Sequence, residues 1–234
     1  MPQREHFTRR SLPHWYVPGA VHFVTYRLAG TLPKSVLDQL CADRERLLKQ
    51  KPRTGQSHDQ FRAAVHKQLF ATYDDHLDRF ADCRWLAETR VAAIIRSNLY
   101  HHDGSKFRLL SFCVMPNHVH VLFQPVDSLS EIVEPPVGEL DDGSSPLSGI
   151  MHSLKSYTAH QANKVLGRTG TFWQPESYDH WVRDADELER IVMYITNNPV
   201  KAGLVEKPQD WYFCSCHDRF LKDGEPIGIL INDW

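Results

Sequence analysis

The run "KFRLLSFCVMPNHVHVLFQP" (106–125) constrains this chain more than any other stretch. Two segments rich in β-formers flank Pro116-Asn117, a turn pair, so the run reads as a β-hairpin. In a strand, residues i and i+2 project from the same face. His118 and His120 would then stand side by side, while Val119 and Val121 point the other way into a core. A helix would splay the two imidazoles apart. Neutral imidazole is the commonest metal ligand among side chains, so the pair is a candidate metal platform. Two strand histidines facing solvent is the other reading, and H-x-H spacing alone does not separate them.

Around this hairpin the periodicity supplies helices. Residues 20–28, "AVHFVTYRL", alternate like a strand. Helical spacing marks 34–51, about 58–72, 86–102 (stopping at Asp103-Gly104) and 147–167 (closed by Gly167). "GTFWQPESYDHWVRD" is aromatic and extended. The best-marked helix is 184–199, with Asp184 at the N-cap, Glu187 three residues on, and Pro199 to end it. Strand, helices, hairpin, helix, strand, helix predicts an α+β domain with helices against an antiparallel sheet.

With 234 residues, 41% hydrophobic and 24% charged, the composition is that of a soluble globular protein. No apolar stretch approaches the roughly 18 residues a membrane span needs, so no membrane partner is expected. The twin arginine Arg9-Arg10 is not followed by an apolar export segment, and five scattered cysteines suit a reducing compartment. Both point to the cytoplasm. The net charge of −2 argues against a nucleic-acid partner only in bulk. Arg4, Arg9 and Arg10 make a basic arm over 1–14, and acids concentrate within 127–147, a Pro-, Gly- and Ser-rich loop.

On a helical wheel of 184–199, Leu188, Ile191, Val192 and Ile195 gather on one side, to pack on the sheet. Tyr194 and Asn198 lie one turn apart on the neighbouring stripe. If that stripe abuts His118 and His120, a phenol and an amide oxygen join two imidazoles. A divalent cation on such a set can act as a Lewis acid on a phosphate oxygen, and the phenol can attack phosphorus. The alternative is that Tyr194 packs at a domain edge and Asn198 closes the helix beside Pro199.

Three motifs, "FCVMPNHVHVLF", "FWQPESYDHWVRD" and "YITNNPVKAGLVEKPQDW", in this order over roughly 15–215, resemble the REP-associated tyrosine transposases. These belong to the insertion-sequence-200-like, single-tyrosine branch of the HUH nucleases. The resemblance implies a ferredoxin-like sheet bearing the His-hydrophobic-His signature (His118, Val119, His120), Tyr194 as the catalytic tyrosine on a C-terminal helix, and Asn198 as third metal ligand. It also implies Mg²⁺ or Mn²⁺ as cofactor, and cleavage and rejoining of single-stranded DNA next to hairpins through a 5′-phosphotyrosine bond that frees a 3′-OH. Two stretches depart from the compact pattern: the helical insertion at about 34–84 and the acidic loop at about 127–147. Residues 216–234 read as a C-terminal tail, and a monomer is expected, with a homodimer the alternative.

Tyr157 is a rival nucleophile, with Gln161 one turn on as a candidate ligand; the "YITNNPVKAGLV" resemblance favours Tyr194. Tyr178 reads as structural. Cys214, Cys216 and His217 lack the usual C-x₂₋₄-C spacing of a zinc site. Candidate DNA contacts are Arg9, Arg10, Lys155, Arg183 and Lys201, with Trp173 as a stacking platform for an unpaired base. Three functions therefore compete: strand transfer through Tyr194, a catalytically silent hairpin-binding regulator, and a metal-dependent phosphodiesterase using activated water.

Overall fold

The computed structural model describes residues 6–9, 13–79, 82–126 and 146–218. The acidic loop up to residue 145, Arg10, and most of the C-terminal tail lie outside the described residues. Strands β1 (His6–Arg9) and β2 (Pro13–Tyr16) pair antiparallel as a small separate sheet, so the expected basic arm carries Arg9 on a strand.

The main sheet has four antiparallel strands in the order β4-β5-β3-β6, where β3 is His22–Arg27, β4 Phe107–Val114, β5 His118–Pro125 and β6 Tyr178–Trp181. Between them run α3 (Thr89–His102) and α4 (Pro146–Val165), giving the β-α-β-β-α-β succession of a ferredoxin-like fold. The first and third strands of that unit are central, and the second and fourth form the edges. The expected α+β class therefore holds.

Strand alternation divides the core in two. Val24, Tyr26, Phe112, Val119 and Val121 pack under Val91, Ile95 and Leu99 of α3 and Ile150 and Leu154 of α4. Phe23, Cys113 and Leu122 face the opposite layer, with Tyr73 and Leu77 of α2 (His58–Arg79) and Leu188, Val192 and Ile195 of α5 (Ala185–Lys201). Helix α1 (Lys34–Leu48) packs on α2. The 34–84 stretch that reads as an addition to the compact pattern thus lays a helix directly on the histidine-bearing face.

Helix ends shift from expectation by two or three residues at α1, α3 and α4, and two helices run on past their expected ends. Helix α2 runs to Arg79, seven residues beyond the expected end at 72. Buried Val65, Tyr73 and Leu77, with half-buried Phe70, keep helical spacing into the last turns, so packing carries the helix past 72. Helix α5 continues through Pro199 to Lys201. A proline so close to the end removes one backbone donor without breaking the helix. Gly203, at φ 68°, ends it: its N–H bonds Val200 O at 2.9 Å, and Leu204 N–H bonds Pro199 O at 2.9 Å, a Schellman closure. At the other end Asp184 Oδ1 accepts from Glu187 N–H at 2.7 Å, while the Glu187 carboxylate accepts from Arg183 N–H at 2.9 Å. Asp184→Ala should therefore lower stability by about 1 kcal/mol, read as a shift in the urea midpoint at unchanged slope.

Candidate metal centre and nucleophile

The hairpin puts His118 and His120 on the α2/α5 side of the sheet, both essentially buried at 1% and 0% exposure. Their orientation is held from behind. His118 Nδ1 lies 2.6 Å from Asn117 Oδ1, and Asn117 Nδ2 donates to Leu77 O at 2.7 Å, which fixes the amide so that its oxygen faces the ring. An amide oxygen only accepts, so His118 carries its proton on Nδ1 and its Nε2 is a bare lone pair. His120 Nδ1 meets Thr25 Oγ1 at 2.8 Å, on the strand directly opposite. The two Nε2 atoms converge to 3.0 Å. Burial, aided by the neighbouring His120, pushes the His118 pKa down to about 3, against the pull of Asp74. The ring is therefore neutral, and competent as a ligand, at ordinary pH.

Helix α2 delivers the residue that sequence reasoning missed. Asp74, fully buried, places Oδ1 3.4 Å from His120 Nε2 and 4.0 Å from His118 Nε2. Asp74, His118 and His120 form a buried trio with metal-ligand spacing. Burial alone would raise the Asp74 carboxyl; the adjoining His120 and His118 outweigh it and hold the group well below the usual carboxylate range. Its other oxygen accepts from Lys201 Nζ at 3.0 Å, and Lys201 also meets Asp75 at 3.4 Å and Asp78 at 3.2 Å. Lys201 thus neutralises α2 carboxylates and pins α5 to α2.

Helix α5 brings Asn198 and Tyr194 to the same place. Asn198 is 1% exposed, with Nδ2 3.1 Å from His120 Nε2 and Oδ1 buried without a partner. Half a turn of that amide exchanges its ends and presents the oxygen to the imidazoles. Tyr194 packs its ring against His120, with centroids 5.4 Å apart, between Phe23 and Phe70. Its hydroxyl is buried without a hydrogen-bond partner. Burial and then the Asp74 charge push its pKa far above the ordinary phenol value. A cleft of about 830 Å³, lined by Phe70, Asp74, Tyr178, Arg190 and Tyr194, opens onto it.

Three buried oxygens therefore lack partners in one spot: Asp74 Oδ1, Asn198 Oδ1 and Tyr194 Oη. Each such orphan costs about 1–3 kcal/mol. With two imidazole nitrogens beside them, the donor set fits a divalent cation. Asp74, His118, His120 and Asn198 are the residues that would hold it.

The other candidates are distributed elsewhere. Tyr157 is 53% exposed on α4, whose buried residues pack against the sheet face opposite the histidines. Trp173 is no open stacking platform: it is 5% exposed, its indole N–H donates to Thr158 Oγ1 at 2.9 Å, and Tyr26 packs edge-on, because the core takes the ring. The Lys155 ammonium donates to the carbonyls of Gln174, Pro175 and Glu176 at 3.0, 3.0 and 3.4 Å, so it clasps a loop; burial, with the nearby Arg27 charge, lowers its pKa to about 8. Arg183 forks onto Glu187 at the α5 start, beside the cleft. Cys214 and Cys216 are buried, and His217 Nδ1 is bonded to Gln209 O. Among the described residues these make no metal cluster. Tyr178, at the wall of the cleft, is 7% exposed and hydrogen-bonded to His66 at 2.8 Å.

No family model matches the chain. Two curated proteins do. One, named as a REP-associated tyrosine transposase of Haemophilus influenzae, is 27% identical over 117 residues, 47% of this chain and 60% of that protein. The REP-associated tyrosine transposase of Escherichia coli is 25% identical over 128 residues, 55% of this chain and 62% of that protein. This chain is similar to the REP-associated tyrosine transposases. The matches span about 60% of those transposases' lengths. A solved REP-associated tyrosine transposase bound to a REP hairpin aligns with a TM-score of 0.49 and 16% identity, covering 90% of this chain and 84% of that one. Among the described residues no helix is long and apolar enough to cross a membrane.

Proposed function

We propose that this chain is a divalent-metal-dependent transposase that cleaves and rejoins single-stranded DNA beside hairpins, with Tyr194 as nucleophile. The observation that carries the reading is the meeting of Tyr194 and Asn198 from α5 with His118, His120 and Asp74, where three buried oxygens have no partner. Similarity to two REP-associated tyrosine transposases supports the same chemistry. We take Mg²⁺ or Mn²⁺ as the ion because carboxylate and amide oxygens suit hard cations. A bound divalent cation supplies Lewis-acid polarisation of a phosphate oxygen and lowers the phenol pKa.

The residues do the rest. The buried phenol is held protonated until its surroundings change, which limits adventitious attack on other electrophiles. The Tyr194 phenol gives its proton to water in the cleft, from which the leaving oxygen is protonated in turn. Tyr194 Oη bonds to phosphorus, and the bond from phosphorus to the 3′-oxygen breaks. That oxygen takes up a proton and leaves as a 3′-OH, while the 5′-phosphate stays on Tyr194. Attack by a 3′-OH reverses the exchange and rejoins strands. The phenol ring is held in place by Phe23, Phe70 and His120. Lys67, Arg79, Arg183 and Arg190 line the cleft and are cations available to a strand entering it.

The test is a denaturing gel of the protein incubated with labelled hairpin DNA carrying single-stranded flanks, in Mn²⁺ or in chelator. A covalent adduct should form only with Mn²⁺ and survive in Tyr157→Phe. Cleavage without adduct would assign the attack to water. Binding without cleavage across several hairpins and metals would make the chain a regulator.

A further inference from the structure

A second cavity, of about 440 Å³, lies on the histidine-bearing face, between β3 and the α1–α2 pair. Its floor is Arg27, which is 3% exposed yet charged. Strand alternation puts Arg27 on the same side as Phe23 and Thr25, and in register it stands directly opposite His118 on β5. Its contacts are slight: Nη1 donates to Leu28 O at 3.5 Å, and the guanidinium donates to the Tyr73 hydroxyl. Among the described residues no carboxylate comes within 4.0 Å of it.

A guanidinium withdrawn from water costs several kcal/mol unless a counter-charge meets it. Here the cavity wall adds further positive charge. Arg44 lines it from α1, as does Lys34, which is tied to Asp38 at 2.7 Å. Glu176 is the other acid on the wall, on the loop that Lys155 clasps through its carbonyls. With Lys34 and Asp38 cancelling, two guanidiniums face one carboxylate. A planar guanidinium presents a fork that matches two oxygens of a phosphate, and the volume lies within the range of small-ligand sites.

We propose that the Arg27 cavity is a phosphate-binding subsite, which in DNA cleavage takes a phosphodiester of the same single strand whose scissile group reaches Tyr194. The second half of this statement rests on the function proposed above. It gives the 34–84 helices a role in gripping substrate, since Arg44 and Tyr73 come from α1 and α2. The shared chemistry is a phosphate, and its source is either the DNA backbone or a free phosphate or mononucleotide.

The test uses the full chain in chelator, so that catalysis is silent, with two probes: a labelled single-stranded oligonucleotide and inorganic phosphate. The variants are Arg27→Gln, Arg27→Lys and the half-buried Arg44→Ala, which removes charge at the wall without disturbing the core. Oligonucleotide affinity should fall roughly 10-fold in Arg44→Ala and Arg27→Gln, with Arg27→Lys between, and the slope of log K against log salt should drop by about 0.7 per phosphate lost. Phosphate should raise the Tm of the parent chain and not of Arg27→Gln. A phosphate effect that needs Arg27, in a chain that binds no oligonucleotide, would keep the subsite, assign it to free phosphate and overturn the DNA half. Unchanged oligonucleotide affinity in folded variants, with no phosphate effect on Tm, would overturn the subsite and leave the Tyr194 chemistry standing. If Arg27→Gln fails to fold by circular dichroism, Arg44→Ala decides the matter alone.

Discussion

Tyr194→Phe should form no DNA adduct and at the same time fold more stably than the parent chain when metal is withheld. The first half follows from removing the nucleophile: adduct formation should fall by at least about 10⁴-fold, the scale seen when a hydrolase loses its attacking group. The second follows from geometry. The Tyr194 hydroxyl, beside Asp74 and Asn198, meets no partner at good hydrogen-bond geometry, and its ring is already held by Phe23, Phe70 and His120. Phenylalanine keeps the ring contacts and removes the stranded polar atom, so metal-free stability should rise by about 1–2 kcal/mol. A polar group buried without a partner at a cost in stability is the mark of a site kept for chemistry. Urea denaturation in chelator measures the stability, and the gel assay measures the adduct. An adduct that persists in Tyr194→Phe would move the nucleophile elsewhere. A stability loss of similar size would mean that the hydroxyl has a partner in the folded protein.

Asp74→Asn should cost the chain its metal. The substitution keeps the shape of the side chain and removes the charge that faces His118 and His120 at 4.0 and 3.4 Å. Loss of an outer-shell partner alone costs up to about 100-fold in metal affinity, so loss of a ligand should exceed that. Mn²⁺ titration by calorimetry or electron paramagnetic resonance reads it directly. In the parent chain, Mn²⁺ at 100 times its Kd should add about 2.7 kcal/mol of stability, and that increment should vanish in Asp74→Asn at the same concentration. Lys201 supplies the control. It bonds Asp74 but also Asp75 and Asp78, so Lys201→Met tests whether any loss comes merely from loosening α5 on α2. If Asp74→Asn binds Mn²⁺ as the parent does, Asp74 is only a partner for Lys201, and the cation rests on His118, His120 and Asn198.

The sequence by itself determined the hairpin, the helix carrying Tyr194, and the likeness to a transposase family. The first two rest on short-range physics, the period-2 alternation around His118 and His120 and the Asp184 cap, while the likeness rests on three motifs in order along the chain. Such signals need no knowledge of what lies opposite. Asn117 also stands in the hairpin motif, but as a turn residue it gave no sign that its amide would hold the His118 ring. Only the tertiary structure decided that Asp74 belongs to the site. "YDDHLDR" offers three acids within five residues, and their residue type does not tell the buried Asp74 from the exposed Asp75 beside it. The tertiary structure likewise put Trp173 in the core, spent the Lys155 and Lys201 charges on internal partners, and set Tyr157 across the sheet from the histidines. The physical reason is the same in each case. A side chain's chemistry is set by the surface it meets, and those surfaces come from segments tens of residues away, joined only when the sheet closes and its two faces are covered.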